Sequence, residues 1–128
     1  MEIFRIHINI TGSNKVISED TTVQMLLFDG FCTGEFFNGT ILNGGVDTQL
    51  ISREGHITLS ARYMLRGHDN KNRPCSLFIE NNAEGEDDIT YTKPKIYTDS
   101  EHLKWLEQEQ LTGRLENKDG SLVIVIFL

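Results

Sequence analysis

The chain has 128 residues, of which 19 are acidic and 12 basic, for a formal net charge of −7. That length suits one domain spanning residues 1–128, which buries roughly two thirds of the surface its unfolded form exposes and needs no staples to hold a core. The negative balance excludes the clustered Lys and Arg that nucleic acid requires, and it opposes an anionic membrane surface.

The opening segment, IFRIHINI, alternates: Phe4, Ile6, Ile8 and Ile10 fall on one face, and Arg5, His7 and Asn9 on the other. That is the period of a half-buried strand. Further strands are expected over Thr21–Phe28, Glu35–Leu42, Val46–Arg53 and His56–Arg66, the last two joined by a turn at Arg53-Glu54-Gly55. After a polar loop (GHDNKNR), Pro74 opens a strand through Glu80, a position where its missing N–H is not needed. Asn82–Asp88 is acidic and apolar-poor and reads as a mobile loop, followed by a short strand over Ile89–Tyr97. Asp99-Ser100-Glu101 begins the one expected helix, with Leu103, Leu106 and Trp105 on it and an end near Gln110. Leu111–Asn117 and Leu122–Leu128 form a closing hairpin around Lys118-Asp119-Gly120.

Eight to ten short strands and one short helix define an all-β, antiparallel barrel or sandwich. Leu122–Leu128 is apolar on both faces, so it cannot be an exposed edge. A closed barrel, with the Leu103/Leu106 helix against its wall or mouth, satisfies that condition and is the expected fold. The same seven residues are the longest apolar run, far short of the ~20 that a membrane helix needs. MEIFRIHINI lacks the basic and apolar regions of a signal peptide, and a cytoplasmic location is expected. Cys32 and Cys75 form no CxxC and sit among apolar residues, as reduced buried thiols do.

The chemistry-bearing residues are few. His7, His56, His68 and His102 have no ligand spacing, Ser60, Ser76 and Ser121 lack a nucleophile elbow, and there is no phosphate loop; no metal or cofactor is expected. In NGGVDTQL, two glycines allow a sharp change of strand direction, and Asp47 and Gln49 then share a face. If Val46 and Leu50 point into a filled core, Asp47 and Gln49 are solvated and inert. If the barrel is hollow, they are the polar groups of a pocket. With the turn centred between Glu54 and Gly55, Asp47 stands directly across from Arg62, which makes a carboxylate–guanidinium pair the candidate site. Its bland counterpart is an exposed cross-strand ion pair, contributing at most about 1 kcal/mol.

The stretch GEFFNGTILNGGVDTQL followed by GHITLSARYMLRG resembles the uncharacterised protein family UPF0311, also called domain of unknown function 3237. The similarity rests on Gly44-Gly45-Val46-Asp47 and Ala61-Arg62-Tyr63 and is clearest over residues 34–82. Thr48 and Ser60 stand where that family commonly has an aromatic and an acidic residue. The resemblance implies a single antiparallel β-barrel and no established activity. Three functions compete. The first is binding of an apolar or aromatic metabolite, oriented by Asp47, Gln49 and Arg62 and lined by Phe36, Phe37 or Phe78. The second is a cofactor-independent isomerase, lyase or cyclase using Asp47 and Arg62. The third is a homo-oligomer built on the apolar strands.

Overall fold

The period of two governs the wall. The computed structural model describes residues 1–128, and in its first strand, β1 (Glu2–Ile17), Phe4 and Ile6 are fully buried while Arg5 between them is not. Eight more strands follow: β2 (Thr21–Thr33), β3 (Phe37–Ile41), β4 (Gly45–Ser52), β5 (His56–Asp69), β6 (Pro74–Glu86), β7 (Tyr91–Thr98), β8 (Thr112–Lys118) and β9 (Ser121–Phe127). All neighbours are antiparallel, and the β1–β2 pairing closes the sheet on itself as a barrel.

Nine strands fill eight places in that wall, because β3 and β4 share the one between β2 and β5. Ile41 lies opposite Leu65 and Val46 opposite Arg62, so two residues are extra between β3 and β4. An even insertion bends the strand and keeps its inward phase. This accounts for the double glycine. Gly44 has φ +112°, a conformation side chains avoid. At Gly45 a Cβ would lie 2.9 Å from the Phe28 carbonyl oxygen and 3.1 Å from its ring.

The barrel is solid at one end. Phe4, Phe37, Leu65, Leu77, Ile79 and Ile126 meet there, with the Phe4 and Phe37 rings edge-to-face at 6.2 Å. The expected helix is a five-residue 3-10 turn, Lys104–Gln108, joining β7 to β8 across this end. Its Leu103 and Leu106 are 0% and 1% exposed, so the segment is a plug held by burial and not by helix propensity. Beside it, Asp69 Oδ1 accepts hydrogen bonds from the Lys71 and Arg73 N–H groups at 2.8 and 3.1 Å, and Oδ2 accepts one from the Ser100 hydroxyl at 3.2 Å. Burial raises this carboxyl, but those bonds and nearby His102 outweigh it and hold it below the usual range.

Two further expectations are corrected. Asn82–Glu86 is not a loop but the end of β6, paired with Ser60–His56, because Ala83 and Gly85 supply small inward residues between outward polar ones. The outer face of β9 is covered by charged side chains and not by the helix. Val125 lies opposite both Arg5 and Arg114 and is 1% exposed. Arg5 Nε pairs with Glu2 at 2.9 Å and Arg114 Nη2 with Glu116 at 2.6 Å, which lays the arginine stems over the strand. Val125 therefore offers no surface to a second copy. Cys32 and Cys75 are free and buried, and burial pushes the Cys32 thiol up to about 12.

Truncation of the plug, Leu106→Ala, is expected to cost about 2–5 kcal/mol in urea unfolding. A loss well under 1 kcal/mol would show that the turn only rests on the barrel.

Candidate functional site

The β4–β5 hairpin decides what faces inward. Ser52 and His56 flank a three-residue turn in which the Gly55 N–H donates to the Ser52 carbonyl at 3.0 Å and Gly55 has φ +94°. A left-handed glycine closing such a turn makes a bulged hairpin, and the turn centres on Glu54. Asp47 therefore stands opposite Ala61, and Arg62 opposite Val46. The difference of one residue from the expected register puts Asp47 and Arg62 on opposite faces of the wall. Arg62 lies outside, 64% exposed at its side chain, with its Nε 3.0 Å from Glu80 across the strand pair. It is an exposed ion pair and takes no part in the interior.

Asp47 and Gln49 do face inward, into a cavity of about 110 Å³ in the half of the barrel away from the plug. This is many times the space one water needs and comparable with a cavity of about 150 Å³ that accepts benzene. Nine of its 13 lining residues are hydrophobic, among them Ile8, Leu26, Phe28, Leu59, Leu115 and Ile124. Its polar members are Asp47, Gln49, Asn81 and Thr92. The space exists because of Ala61. Asp47, Ala61 and Asn81 lie side by side on β4, β5 and β6, and the smallest of the three is in the middle. Neighbouring strands are about 4.8 Å apart, so Asp47 and Asn81 rise from backbones roughly 10 Å apart with a hollow between them.

Asp47 is the only ionisable group lining the cavity. Gln49 Nε2 donates to its Oδ2 at 2.8 Å, while its Oδ1 is closed off from solvent without a partner. Burial raises this carboxyl, the Gln49 bond partly opposes that, and the net position is above the usual carboxylate range. Asn81 Oδ1 and Thr92 Oγ1 are likewise buried and unpartnered, on residues 1% and 2% exposed. Below them Tyr63 packs edge-to-face on Phe28 at 5.2 Å, its own hydroxyl buried without a partner.

The expected aromatics are elsewhere. Phe37 is in the solid end, Phe36 packs on Trp105 at 5.5 Å, and Phe78 lies beside Tyr97. Phe28 is the aromatic that lines the cavity. Asn81 and Thr92 escaped the sequence reading, yet each carried a signal. Asn81 continues the inward phase of Cys75, Leu77 and Ile79, and Thr92 that of Ile96. A polar residue in an apolar phase is the mark of a pocket wall.

The wall is an eight-place antiparallel barrel, solid at one end and hollow at the other around a few polar side chains. The chain belongs to the family described as protein of unknown function DUF3237, whose model matches residues 2–85. It is 31% identical over 87 residues to a UPF0311 protein of Clostridium acetobutylicum; the match covers 64% of this chain and spans about half, 51%, of that relative. Among solved structures, a protein of unknown function from Clostridium acetobutylicum superimposes with a TM-score of 0.84 at 24% identity, covering 98% of this chain and 93% of that one. An enzyme from Penicillium herquei does so with a TM-score of 0.73 at 19% identity, covering 99% and 92%, a likeness of fold.

Asp47 costs stability while it is charged. Its folded pKa lies above its unfolded one, so the penalty is absent below the unfolded value and grows as pH rises through the folded value. Asp47→Asn is accordingly expected to raise Tm at pH 7, with the gain vanishing as the pH is lowered to about 4, near the unfolded Asp value. Scanning calorimetry from pH 4 to 8 checks this; a mutant that is less stable at pH 7 contradicts it.

Proposed function

We propose that this protein binds a small, predominantly apolar molecule in the hollow half of its barrel, with Asp47 and Gln49 fixing the polar end. The observation that carries this reading is a strand carboxylate turned into an apolar cavity with one oxygen unpartnered. Folding alone disfavours that arrangement, since an unsatisfied buried acceptor costs about 1–3 kcal/mol. A ligand that bonds to it recovers the loss. Arg62, expected to share the site, is outside it.

A second reading has its own support: catalysis with Asp47 as general acid or base and no cofactor. A carboxyl held above its usual range by burial is a stronger proton acceptor than an ordinary Asp. The Penicillium herquei enzyme is a barrel of similar fold. The two readings separate on one variant: with Asp47→Asn an enzyme loses turnover and keeps affinity, while a binder loses affinity.

Binding is tested by thermal shift against small apolar and aromatic compounds. At ten times its Kd a ligand stabilises by about 1.4 kcal/mol, a rise of about 3–6 °C in a chain of this size. Ala61→Leu, which fills the hollow between Asp47 and Asn81, is expected to abolish the rise, whereas Arg62→Ala leaves it intact. A rise that survives Ala61→Leu would place the ligand elsewhere.

A further inference from the structure

The unpartnered buried oxygens of the cavity can all accept a hydrogen bond. Asp47 Oδ1 and Asn81 Oδ1 are acceptors, and both are buried without a donor. Thr92 Oγ1, also unpartnered, lies beside Asn81: a Cβ placed on Gly113 would be 2.2 Å from Thr92 Oγ1 and 3.6 Å from Asn81 Nδ2. No Lys, Arg or His lines the space. The acceptors are also divided. One stands on β4, and the other pair stands beyond Ala61 on β6 and β7.

This rests on the reading of the cavity as a binding site and narrows it. We propose that the occupant is a neutral single-ring molecule with hydroxyl groups at two separated positions, one donating to Asp47 and the other to the Asn81/Thr92 pair. The ring lies over Ala61 against Leu26, Leu59 and Leu115, in a space of about 110 Å³. Anionic ligands are rejected. A carboxylate or phosphate entering here brings a second negative charge to Asp47, with no cation to receive it. A ring without hydroxyls enters but leaves these oxygens without a donor.

An isosteric series tests this. Resorcinol, m-cresol and m-xylene differ only by hydroxyl-to-methyl exchange, and benzoate supplies the anion; each is titrated into the ¹⁵N-labelled protein at pH 7 and followed by NMR. The expected result is that Kd rises about five- to tenfold with each hydroxyl lost, a step equivalent to about 1 kcal/mol per hydrogen bond. Benzoate is expected to produce no shift. With Asn81→Leu and Thr92→Val together, resorcinol should fall to the affinity of m-cresol. Equal affinity across the three neutral rings, or binding of benzoate as tight as that of resorcinol, overturns the two-donor rule while leaving a binding cavity in place. Absence of binding by every member overturns the rule together with the reading beneath it. The wild-type series decides the matter even if the double variant does not fold.

Discussion

The parity of one short turn governs this molecule. In a barrel wall every residue is either inside or outside, and the choice for a whole strand is made where the chain reverses. Between β4 and β5 the reversal takes three residues closed by Gly55 in a left-handed conformation. That count turns Asp47, Gln49 and Ala61 inward and leaves Arg62 in water beside Glu80. A turn of even length would set Asp47 directly opposite Arg62 and put the two on one face, both inside or both in water. The two-residue insertion before Gly45 obeys the same arithmetic: being even, it bends the wall without exchanging its faces.

The two halves of the barrel differ in how fully their polar groups are satisfied. The plugged half is filled by large residues at 0–1% exposure, and Asp69 secures its rim with three hydrogen bonds. The open half carries unpartnered oxygens on Asp47, Asn81 and Thr92, each of which disfavours the empty folded state. A chain can hold such groups only if something else stabilises it, and the packed end does so. A polar interior that is expensive to leave empty is also one that discriminates strongly among occupants.

Much of this was legible in the residues. Alternation in β1 and β5, the Asp-Gly hairpin and the two-faced apolar β9 were enough for a closed antiparallel barrel, because periodicity and edge avoidance act locally. The candidate site was half legible. Asp47 and Gln49 were visible as polar residues in phase with each other, but which way the phase pointed depended on the length of the turn at Gly55, and a single residue there reverses the answer. The Leu103/Leu106 segment looked helical because apolar residues three apart suit a helix, whereas burial over the barrel end needed only one tight turn. The charged cover over Val125 could not be read at all, since Arg5, Arg114 and Glu116 meet only after β1 and β8 flank β9.

The plug has a kinetic consequence. With Leu103 and Leu106 buried across one end, the cavity has no route out through that end. Under the binding proposal, exchange would have to run through the other half of the barrel, and the time a guest stays would depend on how readily that half opens as well as on the contacts that hold it.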